Sequence, residues 1–356
     1  QLLLEENKVN LNALDADTIG FTIAPHLNSL GRLGDANPAV ELLRTHDEER
    51  ARELVELLID TNLKRRQLVD DIHQEVLAHI ESQPEIPPVI ICASSRWSVG
   101  VLGIVASRLK DRFHRPVILF EHLVDEGIYK GSGRSIEAIN LYEWLQSHEH
   151  LLQAFGGHAQ AAGLTVSQTD WQTFKENIER DSAQFTADIE SLPILKVDLK
   201  LSINEVSLAF IEEVDRLGPF GMSNPKPLFE FEDVTLSNIR VIGANRDHVK
   251  MELTDDGHRL DGVGFSMQEQ CQYLQANDQI SLVGALSINE WNNQKNSQLL
   301  LEDVGQEGSQ WIDKRSTHID QSLFQLTETL YVFTHENIRQ HFAQQLSESS
   351  QSVLYS

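Results

Sequence analysis

Three short stretches concentrate the residue types that handle phosphate. In Gly131-Ser132-Gly133-Arg134-Ser135, backbone N–H groups, two hydroxyls and one guanidinium fall within five residues. Compact donors beside one permanent charge are what a terminal phosphate needs. A Gly/Ser hairpin turn with an incidental arginine has the same composition, so both readings stand. Gly156-Gly157-His158 runs into Ala159, Ala161, Ala162 and Gly163, which reads as a glycine-rich turn opening a short, tightly packed turn of helix. Unpaired N–H groups and the helix dipole would make that start an anion cradle; ordinary turn chemistry is the alternative. Asn28 and Arg32 add an amide and a planar fork of donors, suited to phosphate or carboxylate, or else to a helix cap and an ion pair.

These side chains need elements to hold them. Ile19, Phe21 and Ile23 alternate over a short span that Pro25 should end. Thr45-His46-Asp47-Glu48 has the form of a capping box and opens a helical pattern about 34 residues long, roughly 50 Å at the α-helical rise. Its apolar stripe breaks at Asn62, Arg65 and Arg66, either a solvated midpoint or a surface facing a ligand groove. Beyond a proline-rich linker, the run 89–93 reads as a buried strand, Val99–Phe113 as a helix and residues 116–120 as a second buried strand, an α/β series. Helical patterns follow at 141–152, after Asp170 as N-cap, and at 204–217. A connector rich in Gly and Pro, 218–229, precedes short strands over 234–304 that suit a small barrel of the OB type. Trp291, Phe265 and Tyr273 could stack bases there, though core positions are the preferred reading. An amphipathic segment at 336–346 belongs to the start of a further domain or a tail.

Composition narrows the function. At 356 residues with 40% hydrophobic content, the chain supports two or three cored domains, and no stretch has the apolar length of a membrane span. A formal charge of −25 argues against broad attraction to nucleic acid but leaves room for a narrow basic track. The segment 236–304 holds 5 Lys+Arg against 10 Asp+Glu, too few cations for a strong electrostatic funnel. Cys92 and Cys271 make neither a disulfide framework nor a zinc spacing, which points to a reducing, cytoplasmic setting. The start, Gln1-Leu2-Leu3-Leu4, lacks a methionine and a basic signal region and reads as a fragment boundary.

Taken in order, five motifs resemble the RecJ single-strand-specific DNA exonucleases of the DHH phosphoesterase superfamily. They are Pro25-His26-Leu27-Asn28-Ser29-Leu30-Gly31-Arg32-Leu33, the segment 97–108 from Trp97 to Arg108, Gly131-Ser132-Gly133-Arg134-Ser135, Gly156-Gly157-His158 with Ala161-Ala162-Gly163, and the connector 218–225. The resemblance implies an α/β chain made of a DHH-lobe remnant (1–46), a long connecting helix (47–82), a DHH-associated mixed-sheet domain (83–192), a connector with an OB barrel (193–304) and a further segment (305–356). It also implies a monomer that degrades single-stranded DNA from its 5′ end in repair and recombination, with a single-strand-binding protein or a helicase as partner. Ser132, Arg134 and Ser135 would then bind phosphate near the 5′ terminus. Gly156 and Gly157 would border the cleavage site, His158 would hydrogen-bond the phosphate there as the catalytic residue, and Asn28 and Arg32 would touch the backbone. The family hydrolyses phosphodiesters with two divalent ions, Mn2+ or Mg2+. The Asp-His-His triplet that helps hold them does not occur here, so no metal is expected on this chain itself and the isolated piece should be inactive.

Two positions depart from the family pattern: His26 stands where arginine is usual, and Ser98 where a histidine is frequent. Two other functions compete. DHH phosphodiesterases for small oligonucleotides or cyclic dinucleotides also carry a Gly-Gly-His turn, but usually without an OB domain. A RecJ-like scaffold would bind DNA or replication proteins without cutting.

Overall fold

A computed structural model describes residues 1–11, 14–83, 85–190, 194–244, 246–291, 294–306, 330–333, 336–342 and 351–354. The chain forms two compact units, one of residues 1–196 with 217–225, the other of 197–216 with 226–356.

The first unit begins with helix α1 (Leu2–Glu6). A turn of π-helix, Thr18–Ile23, then runs straight into α2 (Ala24–Leu33). The alternation at Ile19, Phe21 and Ile23 is therefore not a strand. Pro25 begins α2 rather than ending an extended span, because a proline fits the first helical turn, where its missing N–H has no partner to lose. Helix α3 (Asn37–Arg44) leads to α4, Glu48–Glu81, the long helix foreseen from periodicity. No capping box forms at its start. Asp47 is the N-cap, its carboxylate accepting from the Glu49 and Arg50 N–H groups, while Thr45 Oγ1 accepts from Asp47 N–H. The upper half of α4 packs Leu58 against Leu30 and Ala39, and the lower half packs Val69, Ile72, Val76 and Ile80 into a second core.

That second core lies under a five-stranded sheet in the order β1-β2-β3-β5-β4. The elements are β1 (Ile90–Ser94), α5 (Val99–Phe113), β2 (Val117–Leu123), β3 (Ile128–Arg134), α6 (Leu141–Gln146), β4 (Leu152–His158), β5 (Ala161–Ser167), α7 (Trp171–Asp181) and α8 (Thr186–Glu190). Only β1 and β2 are parallel, so the sheet is mixed. Strand alternation sorts the faces. Ile90, Val117 and Leu119 pack with α4 and α5, while Ile91, Ile118, Phe120, Leu164 and Val166 pack with α6 and α7. The pattern at 141–152 ends earlier than its periodicity suggests, as α6 and then a 3-10 turn, Glu149–Leu151. Asp170 does stand at the N-cap of α7, but its carboxylate accepts from Ser167 Oγ instead of capping.

Phe120 shows how this face is filled. Its ring is fully buried, edge-on to Trp171 at 4.8 Å and to Phe174 at 6.1 Å, and it occupies the space a side chain at Gly131 would need. Phe120→Ala is expected to cost about 3–5 kcal/mol, read as a lower urea midpoint with an unchanged slope. A loss below about 1 kcal/mol would show that the surroundings collapse into the space.

In the second unit, a 3-10 turn (Ile203–Glu205) and α9 (Leu208–Asp215) take the place of the single helix expected over 204–217. Ser207 caps α9 by accepting from Phe210 N–H, which is why the helical run divides there. The barrel closes as β7 (Phe229–Ile242), β8 (His248–Asp255), β9 (His258–Gly264), β11 (Gln294–Gly305) and β10 (Gln279–Trp291), with β10 pairing back onto β7 and the short β6 (Leu199–Lys200) beside β7. Five strands closed in this order form the OB-type barrel expected from strand spacing. Toward the C-terminus, β12 (Leu330–Phe333) and β13 (Gln351–Leu354) pair in parallel around α10 (Glu336–Phe342). The rest of the amphipathic pattern at 336–346 lies outside the described residues. No helix among the described residues is long and apolar enough to cross a membrane.

Candidate nucleic-acid interface

Gly156-Gly157-His158 does not open a helix. The three residues end strand β4, and the hairpin to β5 turns at residues 159 and 160. Small residues pack well in a helical turn, but they also let two strands lie bare, and here the ladder wins. Gly157 sits at φ 150°, and a Cβ there would come within 2.1 Å of the Ala161 carbonyl oxygen, so the hairpin closes only on glycine. Gly131-Ser132-Gly133-Arg134 likewise runs within strand β3, not through a turn. Its alternation has a steric cause. Phe120 fills the Gly131 side and Leu141 Cδ2 the Gly133 side, leaving Ser132 and Arg134 on the opposite face.

Register then assembles the site. Across β3, β5 and β4 the register forms three rows, Lys130–Thr165–Ala154, Ser132–Gly163–Gly156 and Arg134–Ala161–His158, with the β5 residue in the middle of each. Residues in such rows share a face, so Arg134 and His158 flank Ala161 with their Cα atoms about 10 Å apart, two strand spacings. Between the rows the floor is bare glycine. A shallow groove of about 380 Å³ lies along the first two rows, lined among others by Val99, Lys130, Ser132 and Gly163. The row of Arg134 and His158 lies just beyond it.

The neighbouring helices set the guanidiniums. Arg134 Nη1 donates to Gly133 O at 2.7 Å and to Ser132 Oγ at 3.2 Å. Its group lies against Gly103 of α5, where a Cβ would meet Nη2 at 2.6 Å. Arg32, at the end of α2, donates to Gly100 O at 3.1 Å, one turn earlier on α5. Burial, and then the charge of Arg32, pull the Arg134 pKa below the ordinary arginine value; the group stays cationic. Among the described residues neither arginine pairs with a carboxylate, so the ion-pair reading of Arg32 does not hold. Asn28 is exposed one turn before Arg32 on the same face of α2. His158 is exposed, whereas Ser135 is 2% exposed with its Oγ unpartnered among the described residues.

The two departures also find places. His26 is buried, Nδ1–H donating to Thr22 O at 2.6 Å, which ties it to the preceding turn of its own helix. Ser98 is the N-cap of α5 without a capping hydrogen bond of its own; the Glu121 carboxylate of β2 accepts from Val99 N–H at 2.7 Å instead. Composition alone did not single out Gly100, Gly103, Lys130 or Glu121. For the two glycines the signal was present, since glycine inside a helix marks a close approach.

Other chemistries are poorly supplied. Burial pushes the thiols of Cys92 and Cys271 up to about 11, so neither is a nucleophile near neutral pH. On the barrel, Lys250 is tied to Asp261, and Arg259 to Glu252 and Asp261, in keeping with a weak field. Phe265 is not a core residue: it is 61% exposed, edge-on to His248 at 5.3 Å. The chain turns out of β9 at Ser266, φ 58°, a turn held by Ser266 N–H donating to His248 Nδ1, and Met267 and Cys271 fill the core in its stead. Tyr273 is half-buried, and the Trp291 side chain lies outside the described residues.

Fold and site together define an α/β domain of the DHHA1 type and a nucleic-acid-type OB barrel on one chain. Residues 87–185 match the DHHA1 domain and residues 197–303 the RecJ OB domain. The single-stranded-DNA-specific exonuclease RecJ of Bacillus subtilis is 37% identical over 306 residues, which is 86% of this chain and 39% of that protein. Its Haemophilus influenzae counterpart is 33% identical over 312 residues, 85% of this chain and 54% of that protein. The chain belongs to the RecJ family. It spans between 39% and 54% of the length of these two relatives. The crystal structure of RecJ with Mn2+ from Thermus thermophilus shares the fold, with a TM-score of 0.69 at 24% identity, covering 100% of this chain and 55% of that one. RecJ structures are thus known with Mg2+ and with Mn2+. Among the described residues here, no three His, Cys, Asp or Glu side chains are grouped to hold a metal ion.

Proposed function

We propose that this chain is the strand-holding part of a 5′-to-3′ single-stranded-DNA exonuclease acting in repair and recombination. The observation that carries the reading is the shared face of β3, β5 and β4, where Ser132 and Arg134 oppose His158 across a floor of Gly163, Gly156 and Ala161. A sugar–phosphate chain can lie on bare backbone, and a guanidinium beside a hydroxyl suits its terminal phosphate. Arg134, with Ser132 beside it and Ser135 beneath, holds the 5′ phosphate. His158 hydrogen-bonds the phosphate to be cleaved, Gly156 and Gly157 border it, and Asn28 and Arg32 hold the backbone. Hydrolysis itself needs divalent ions, Mn2+ or Mg2+, held by protein outside this chain, so the chain alone binds without cutting.

The domain limits proposed are 1–46, 47–82, 83–192, 193–304 and 305–356. Monomeric action in the cytoplasm, with a strand supplied by a single-strand-binding protein or a helicase, belongs to the same reading and rests on family resemblance. The barrel separates it from DHH phosphodiesterases of small substrates. The test is fluorescence anisotropy with short single-stranded DNA bearing a 5′-phosphate or a 5′-hydroxyl, across a salt series. Tighter binding of the phosphorylated end supports the reading; equal binding to both ends, or to duplex, defeats it.

A further inference from the structure

Two of the glycines on the sheet floor are not required by the fold. Gly157 must be glycine, but a Cβ at Gly156 would meet nothing within 4 Å, and one at Gly163 would meet only Gly131 O at 4.0 Å. Neither has a positive φ. A side chain in mid-strand would strengthen both strands, so packing alone does not keep this row bare. The row is Ser132–Gly163–Gly156, and the groove of about 380 Å³ runs over it, a volume in the range of small-ligand sites.

The groove joins the Arg134 end but differs from it in chemistry. Ser132 borders both, lining the groove while its Oγ accepts from Arg134 Nη1 at 3.2 Å. Val99 forms a wall, and Lys130 and Thr165, neighbours across the β3–β5 ladder, stand at the far end. Lys130 is exposed and forms no ion pair among the described residues. On its other side it faces Glu121 across the β2–β3 ladder, and cross-strand neighbours hold their Cβ atoms about 5 Å apart. A phosphate on Lys130 would therefore lie against a carboxylate. A flat, neutral group with acceptors on its edge suits this end better.

Resting on the function proposed above, we infer that the groove seats the nucleobase of the 5′-terminal nucleotide. The terminal phosphate on Arg134 and the next one at His158 flank a single nucleoside, and its base lies over Gly163 with Val99 at its side. Lys130, which has donors only, donates to a carbonyl oxygen on the base edge, with the Thr165 hydroxyl beside it. Adenine alone among the four bases has no carbonyl oxygen, so it is the poorest occupant.

The test is anisotropy with 5′-phosphorylated oligonucleotides that differ only in the first residue: thymidine, deoxyadenosine or a base-free sugar. Wild type should bind the base-free end at least about fivefold more weakly than the thymidine end, with adenine in between. Gly163→Val should keep or raise the urea midpoint yet bind all three ends alike. Lys130→Met should abolish the difference between thymidine and adenine. Equal wild-type affinity for the thymidine and base-free ends overturns the inference, as does a folded Gly163→Val that still separates them. If Lys130→Met instead weakens all three equally and lowers the salt slope by about one phosphate, Lys130 holds a phosphate and the base assignment falls. Should Gly163→Val not fold, the wild-type and Lys130→Met comparisons decide by the same criteria. A 5′-phosphate preference blind to the first base defeats this inference and leaves the function proposed above standing. Dependence on the first base without preference for phosphate over hydroxyl does the reverse, and failure of wild type to bind any of the strands overturns both.

Discussion

Arg134→Ala should erase the preference for a 5′-phosphate and weaken binding of the phosphorylated strand by roughly tenfold to hundredfold. The size of the loss follows from what the side chain does. Charge-assisted hydrogen bonds contribute about 1.5–3 kcal/mol each, and each 1.4 kcal/mol is a factor of about ten. Arg134 donates to Gly133 O and Ser132 Oγ through Nη1, while Nη2 rests against Gly103 without a hydrogen bond among the described residues, which leaves it to donate to a phosphate. The 5′-hydroxyl strand should lose far less, and the two titrations should converge. Stability should change little, because the guanidinium supports no buried carboxylate. A variant that still prefers the 5′-phosphate would move the terminal-phosphate site elsewhere.

Alanine at Gly100 and alanine at Gly103 should fail in opposite ways, although the two positions lie one turn apart on α5. At Gly100 the added Cβ would fall 1.9 Å from the Arg32 carbonyl oxygen, backbone against backbone. Helix α2 would have to move away, at a cost of about 3 kcal/mol or more, and Arg32 would move with it. At Gly103 the Cβ meets the tip of Arg134 at 2.6 Å and Ser132 Oγ at 3.0 Å. A flexible tip yields, and alanine is the better helix former by about 1 kcal/mol, so stability should hold or rise slightly. The displaced guanidinium should then lose the 5′-phosphate. Urea unfolding and anisotropy on both variants separate the cases; a stable Gly100→Ala, or a Gly103→Ala with full end preference, would contradict the packing described.

How much of this was readable from residues depends on which signals are degenerate. Helices α4 and α5 were legible because their apolar spacing repeats turn after turn, and β1 and β2 were legible as contiguous apolar runs. The hairpin at Gly156-Gly157-His158 was not, since small residues mark a packed helical turn and an open sheet floor alike. Thr45 lost the cap to Asp47 because two candidate acceptors stood two residues apart, and local spacing does not choose between them. The phosphate-handling residues were visible as types, but their convergence is a matter of register, which no local pattern contains. Asn62 and Arg65 were visible only as a break in a stripe. It took burial to show that the break faces inward at Asn62, which is 2% exposed, and Phe265 shows the opposite error, an aromatic assigned to the core that stands outside it.

Glu121 gives the groove a direction. Its carboxylate already occupies the N–H of Val99, where a helix start would otherwise draw an anion, and it sits across the ladder from Lys130. The Val99–Lys130 end is therefore close to electroneutral, while the Arg134 end, with Arg32 beside it, carries uncompensated positive charge. A polyanion laid along the floor meets a gradient, not a uniform strip. If the chain holds a strand as proposed, that gradient would draw the strand's most highly charged terminus toward the arginines and set which end leads.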